Sequence, residues 1–115
     1  LQKDACEFRC LSVEDGIVLR TREGEPFLTL NGIQTQSARV HNLLADLPGL
    51  AGRAEVLRVS PQGAHTLDIL TLFRAALDAK LTPSAALDAS RDYMPEAPCN
   101  GFWHGRPGVE QYVAA

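Results

Sequence analysis

The spacing of hydrophobic residues changes near residue 40, and this change limits the folds that the 115-residue chain can adopt. Before it, short apolar runs between turn residues predict strands. Residues 11–13 and 17–19 flank Glu14-Asp15-Gly16, which predicts an N-terminal β-hairpin. Residues 27–30 predict a further strand that ends at Asn31-Gly32. The first third of the chain is therefore expected to be extended.

The middle of the chain has helical spacing instead. Apolar residues at i, i+3, i+4 and i+7 predict a helix over 40–47, ended by Pro48-Gly49. A second apolar stripe predicts a helix over 69–77 with Thr66 as its cap. Thr82 followed by Pro83 predicts a short third helix over 84–89. Between the first two helices, residues 54–59 predict a strand.

The resulting order from residue 27 is strand, helix, strand, helix, which predicts a parallel α/β arrangement. Two such units are too few to close a barrel, so we expect the chain to be a piece of a larger fold. From Pro95 onward, prolines and glycines predict an irregular tail, and Phe102 and Trp103 are expected to pack it back onto the domain. The predicted division is therefore 1–94 for the α/β portion and 95–115 for the tail.

Composition excludes several classes of protein. The net charge of −3 and the pI near 5.5 argue against a nucleic-acid partner, which usually requires a basic surface. No apolar run reaches the roughly 18 residues of a transmembrane segment, and no signal peptide precedes the first cysteine. Three cysteines do not predict a disulfide framework, so a reducing cytoplasm is the expected location.

Cys6 and Cys10 form a C-x3-C pair, which can supply two thiolate ligands to one metal or cluster. The alternative is that both are small buried hydrophobic residues. Cys99 permits the same two interpretations: a third ligand, with His104 as a fourth, or a buried thiol beside aromatic residues, which we favour.

Four polar residues near the ends of the predicted strands are candidates for a substrate-facing rim, because parallel α/β proteins bind ligands at the carboxyl ends of their strands. They are Asn31, Gln34, Arg58 and Ser60. Turn formation and backbone capping explain the same residues without a substrate. The chain has no phosphate-binding or nucleophile-elbow motif, and no catalytic residue is assigned.

Four runs in the same order resemble the C-terminal part of the U32 peptidase-like family. They are KDACEFRC (3–10), FLTLNGIQTQS (27–37), LRVSPQG (57–63) and CNGFWHGRPG (99–108). The similarity is greatest to the members that act in anaerobic ubiquinone biosynthesis. It implies that the chain is the C-terminal part of a (β/α) barrel-like domain.

The resemblance also implies a cofactor and partners. Such members hold a [4Fe-4S] cluster through four cysteines, and Cys6 and Cys10 match the C-x3-C pair among them. They act with a sister protein as a heterodimer that hydroxylates ubiquinone precursors without molecular oxygen. The other two cysteine ligands do not occur in this sequence. Three alternatives stay open: a U32-type peptidase, an RNA-hydroxylation sister protein, and a non-enzymatic metal-binding or scaffold module.

Overall fold

A computed structural model describes residue 5 and residues 7–113. Cys6 therefore lies outside the described residues. Contacts within the chain separate two compact units, Leu1–Ala38 and Arg39–Ala115, and each unit is described by itself.

The first unit is a three-stranded antiparallel sheet. Its strands are β1 (Ile17–Arg20), β2 (Pro26–Asn31) and β3 (Gln34–Ser37), in the order β1-β2-β3. The first connection is closed by a hydrogen bond from the Thr21 N–H to the Glu25 carbonyl at 2.8 Å. The sheet is thus a meander of two hairpins.

The predicted N-terminal hairpin is wrong in its first arm. Residues Arg9–Ser12 form a 3-10 turn, and among the described residues β1 pairs with β2 alone. The Ser12 hydroxyl donates to the Arg9 carbonyl at 2.8 Å, and the Val13 N–H donates to the Cys10 carbonyl at 3.1 Å. Such local hydrogen bonds compete with strand pairing.

The predicted strand-helix-strand-helix order is also wrong, because the chain reverses after β2. Gly32 adopts a φ of 60°, the left-handed region that glycine enters without strain, and Asn31 then faces Gln34 across the turn. The segment that follows is an antiparallel strand of polar residues rather than the approach to a helix.

Over residues 39–113, the second unit combines three helices with one parallel strand pair. The helices are α1 (Leu47–Leu50), α2 (Thr66–Leu77) and α3 (Pro83–Ser90). The strands β4 (Val40–His41) and β5 (Pro98–Cys99) pair in parallel, with Val40 opposite Pro98. Further 3-10 turns occur at Leu44–Asp46, Arg91–Tyr93 and Gly101–His104.

The predicted helix over 40–47 is replaced by β4, a 3-10 turn and α1. The Asn42 side-chain oxygen accepts a hydrogen bond from the Leu44 N–H at 2.9 Å, which starts a turn where the periodicity predicted continuous helix. Pro48 lies in the first turn of α1 rather than after its end, because proline is accepted where a helical N–H has no partner. The predicted strand over 54–59 is wrong as well, since these residues belong to neither strand nor helix.

The other two helices are confirmed. The Thr82 hydroxyl accepts from the Ala85 N–H at 3.3 Å, and Pro83 opens α3 as predicted. The prediction that Thr66 caps α2 is wrong, because Thr66 is the first residue of the helix and its hydroxyl accepts from the Gln62 N–H at 3.1 Å rather than from the helix backbone. The residue before it, His65, has a φ of 64° and turns the chain into the helix.

The core of the second unit lies between α1, its preceding turn and α3. Leu44, Leu47, Ala86 and Leu87 form a buried cluster. Residues of α2 pack on it, including Leu72 and Phe73. Phe102 is 81% exposed, so the expectation that it packs the tail onto the domain is wrong for that side chain.

The coarse fold class is confirmed as a small mixed α/β protein with a three-stranded antiparallel sheet and helices. Within residues 5 and 7–113, no helix combines the length and the apolar character needed to cross a bilayer.

We expect Leu44→Ala to lower the free energy of unfolding by about 2–5 kcal/mol, because it removes a fully buried side chain from the core cluster. Leu67→Ala is the matched control, since Leu67 is 76% exposed on α2. Urea denaturation of both variants measures the difference. Equal destabilisation would contradict the assigned core.

Candidate functional site

Cys10 lies in the 3-10 turn Arg9–Ser12, where its thiol is exposed and free. Phe8 precedes the turn with a φ of 52°. Glu7 and Arg9 form an exposed ion pair at 2.5 Å. Cys10 is therefore placed where a metal or a reagent can reach it.

Cys99 is in a different environment. It lies in β5 with 4% of its surface exposed. Burial raises the pKa of its thiol, and the opposing effect of Arg39 is smaller. A thiol that resists ionisation is a poor metal ligand. Among residues 5 and 7–113, no group of three or more His, Cys, Asp or Glu side chains could hold a metal.

The predicted rim residues fall in separate places. Asn31 and Gln34 face each other at the β2–β3 turn in the first unit, and both are exposed. Arg58 and Ser60 are exposed residues of the segment before α2. None of the four follows a parallel strand, so the topological reason for grouping them is absent. Their role as a substrate rim stays a prediction.

The carboxyl ends of a parallel pair do meet elsewhere, after β4 and β5. The next residues are Asn42 and Asn100, which are 5% and 0% exposed. The Asn42 amide donates to the Ser90 hydroxyl at 3.2 Å and to the Met94 sulfur at 3.3 Å. It thereby ties the end of β4 to the end of α3.

Asn100 uses its whole side-chain amide. Its Nδ2 donates to Asp46 Oδ2 and to the Tyr112 carbonyl, each at 2.8 Å. Its Oδ1 accepts from the Tyr112 N–H at 2.6 Å. The amide therefore joins the turn after β4 to the end of the tail.

Asp46 also binds His104, whose Nε2 lies 2.6 Å from Asp46 Oδ1. The side chains of Asp46 and His104 are 9% and 21% exposed. The Tyr112 ring lies 4.5 Å from the imidazole, centroid to centroid, and the Arg106 guanidinium lies 4.4 Å above the Tyr112 ring. We call Asp46, Asn100, His104 and Tyr112 the tail cluster.

Gly101 allows a tight turn between Asn100 and His104, two residues of the tail cluster. A Cβ on Gly101 would lie 1.8 Å from the Pro107 carbonyl oxygen, so no larger residue fits there without backbone movement. The Arg106 N–H donates to the Gly101 carbonyl at 2.8 Å and closes this loop. The CNGFWHGRPG run is thus a compact loop rather than an extended arm.

The contact between Asp46 and His104 fixes the orientation of the imidazole ring. A carboxylate only accepts hydrogen bonds, so Asp46 orients His104 with its Nε2 as the donor. A carboxylate-oriented imidazole is a component of many acid–base sites, but its contacts here are with Asp46 and Tyr112 rather than with a hydroxyl or thiol nucleophile. The arrangement therefore supports a structural role first.

The sequence patterns indicate His104 only as a metal ligand and do not mark the other polar residues of this region, which are Asn42, Asp46, Asn100, Arg106 and Tyr112. Asp46 falls inside the helix predicted over 40–47, where a carboxylate is unremarkable. One available signal was the pair Asn100-Gly101 directly after Cys99, since Asn-Gly commonly opens a tight turn. Its partners lie 54 and 12 residues away in the chain, beyond the reach of local patterns.

We expect Asp46→Ala to lower the free energy of unfolding by about 2–4 kcal/mol, because it leaves a buried donor of Asn100 and a half-buried donor of His104 without an acceptor. The control is Asp92→Ala, which removes an exposed carboxylate. Thermal and urea unfolding compare the two. If both variants had the same stability, the tail cluster would not hold the tail.

We expect iodoacetamide to modify Cys10 much faster than Cys99 in the folded chain at pH 8. Cys10 is exposed, whereas Cys99 is buried with a raised pKa and so has little thiolate. Because the pKa is raised, reaction at Cys99 should increase only at higher pH or on unfolding. Peptide mass spectrometry over time measures each site, and equal rates at pH 8 would contradict the burial of Cys99.

No protein-family model matches the chain, and no solved structure matches it.

Proposed function

We propose that this chain is the C-terminal part of a UbiV-like iron–sulfur protein that serves oxygen-independent hydroxylation in ubiquinone biosynthesis. In this proposal it belongs to a (β/α) barrel-like U32 domain, and it acts with a UbiU-like sister protein on a ubiquinone precursor. The support is the ordered set of four sequence runs together with the setting of the cysteine that ends the first of them.

The observation that carries the proposal is the exposed, free thiol of Cys10 in a locally closed turn. Hydrogen bonds from Leu11 to Phe8 and from Val13 to Cys10 hold the turn backbone. A thiol that served only as a small core residue would be buried, as Cys99 is. An exposed thiol in an ordered turn is accessible to iron and sulfide, which is compatible with a cluster ligand.

The residues present fit part of a cluster site. Cys6 and Cys10 would hold two of the four iron corners, and the other two ligands would come from outside these 115 residues. Cys99 does not fit, because it is buried with a raised pKa. Among residues 5 and 7–113, no group of three or more potential metal ligands includes His104, whose Nε2 pairs with Asp46. When bound, a [4Fe-4S] cluster would exchange single electrons with a partner or substrate.

The test uses a full-length protein that contains this chain, reconstituted with iron and sulfide in the absence of oxygen. We expect about four irons per protein and the absorbance of a cluster. Cys6→Ala and Cys10→Ala should each abolish both signals. Cys99→Ala is the matched control, because it also removes one thiol but one that is buried and protonated.

Several outcomes would replace the proposal. Unchanged iron in both Cys6→Ala and Cys10→Ala would exclude these cysteines as ligands. Bound zinc in a colourless protein would indicate a metal-binding module without redox function. Cleavage of peptides after metal removal would revive a U32-type peptidase, and RNA binding at physiological salt would favour an RNA-hydroxylation sister protein.

A further inference from the structure

The chain contains two Asn-Gly sequences, at residues 31–32 and 100–101. In such a sequence the backbone nitrogen of the glycine can attack the side-chain amide of the asparagine and displace ammonia. Glycine favours this attack because it has no Cβ to hinder the approach and its backbone adopts more conformations than that of any other residue. The residue pair is the same at both places, so the fold decides which of them can react.

The first Asn-Gly sequence lies in an open turn. Asn31 is the last residue of β2, and Gly32, with a φ of 60°, starts the two-residue turn to β3. Both residues are exposed, and Ile33, the second residue of the turn, is fully exposed as well. Apart from its chain neighbours, no atom would lie within 4 Å of a Cβ on Gly32. Within residues 5 and 7–113, the Asn31 side chain makes no hydrogen bond, so its amide is free to rotate.

The second Asn-Gly sequence is held by its surroundings. Asn100 is fully buried, and its Nδ2 donates to Asp46 and to the Tyr112 carbonyl, each at 2.8 Å. Its Oδ1 accepts from the Tyr112 N–H at 2.6 Å. A Cβ on Gly101 would lie 1.8 Å from the Pro107 carbonyl oxygen, so the loop backbone packs directly against this glycine. The amide could turn toward the Gly101 nitrogen only after these hydrogen bonds and this packing were lost.

The two sites also differ in how readily they open. The Asn31 side chain reaches the Gly32 nitrogen only when Asn31 leaves its extended strand conformation, because a five-membered ring must form between them. Asn31 faces Gln34 in the pair of the β2–β3 ladder that lies next to the turn. Pairs at the end of a ladder open at low free energy, whereas a buried polar site opens only when much of the surrounding structure unfolds. The reactive geometry is therefore accessible at Asn31 and not at Asn100.

We propose that Asn31 is a modification site at which the chain forms isoaspartate, and that the fold protects Asn100 from the same reaction. The Gly32 nitrogen loses its proton and bonds to Cγ of Asn31, the bond from Cγ to Nδ2 breaks, and ammonia leaves. Water then adds to one of the two carbonyls of the resulting succinimide and opens the ring to aspartate or isoaspartate. No electrons are transferred, and water is the co-reactant.

The modification changes both the charge and the backbone of the first unit. A carboxylate replaces a neutral amide, so the formal net charge of −3 becomes one unit more negative. In isoaspartate the main chain runs through the side-chain carbon and gains one methylene, so the pairing of residue 31 with Gln34 loses its register. The pairing of β1 with β2 ends at Leu30 and is expected to remain. This proposal does not depend on the cluster site.

The test incubates the folded 115-residue chain at pH 8 for several weeks and follows each Asn-Gly peptide by chromatography and mass spectrometry. A carboxyl methyltransferase specific for isoaspartate, supplied with labelled S-adenosylmethionine, counts the isoaspartate that forms. We expect Asn31 to react at least about tenfold faster than Asn100, because its turn opens more readily. In guanidinium chloride both asparagines should react at similar rates, because the fold no longer protects either of them.

Variants test each site separately. Asn31→Gln keeps a side-chain amide at the turn but would have to form a six-membered ring, which is much slower, so the turn should no longer accept methyl groups. Asp46→Ala removes an acceptor of the Asn100 Nδ2, and we expect reaction at Asn100 to increase several-fold while Asn31 is unchanged. Asp92→Ala is the control, because it removes an exposed carboxylate of the same unit and should change neither rate.

Faster reaction at Asn31 in the folded chain, with isoaspartate as a product and similar rates after unfolding, would support the proposal. Equal rates at the two sites in the folded chain would overturn it. A difference that persisted in guanidinium chloride would also overturn it, since neighbouring residues rather than the fold would then select the site. So would a charge change at residue 31 without isoaspartate, because direct hydrolysis would then replace attack by the Gly32 nitrogen.

Discussion

The buried amide of Asn100 is the interaction on which the arrangement of the second unit depends. It is fully buried, and it donates twice and accepts once within a single side chain. Leaving any of these groups unpaired away from water would cost about 1–3 kcal/mol. Asn100 therefore bonds both the turn before α1 and the end of the tail, and the pair of Asp46 with His104 joins the same turn to the tail a second time.

The need to pair buried polar groups also explains the hydrogen bonds of the side chains around Asn100. Asp46 accepts from both Asn100 and His104, so its two oxygens serve two different segments. The carboxyl ends of parallel strands are where α/β proteins often bind ligands, but here those positions are engaged by internal hydrogen bonds. Asn42 is similarly committed to Ser90 and Leu44. The buried polar groups of the second unit therefore stabilise the fold. The Cys10 thiol differs from them because it is exposed.

Sequence patterns predicted the elements whose signals are local. The cap and proline at Thr82-Pro83 located α3, and the apolar stripe from Ile69 located α2, because a helix is stabilised by residues three and four apart. The β4–β5 pair was missed because its partners lie far apart in sequence and each strand has two residues. The helix predicted over 40–47 failed because the side chain of Asn42 bonds its own backbone, which periodicity does not register. The tail cluster does not show in local patterns either, because Asp46 lies 54 residues from Asn100 and 58 residues from His104.

The strand predicted over 54–59 illustrates how a pattern and a structure can both be informative when they disagree. The sequence alternates as a strand should, and the burial of Leu57 and Val59 follows that alternation, yet within residues 5 and 7–113 the backbone of the segment pairs with no other strand. Water can satisfy exposed backbone groups, so the unpaired segment is not strained. Leu57 packs on the core cluster, so the segment is anchored by a side chain rather than by backbone pairing. The turn at Cys10 shows the opposite case, since local hydrogen bonds order its backbone while its side chains stay exposed. Order in an irregular segment can therefore come from one packed side chain or from local hydrogen bonds.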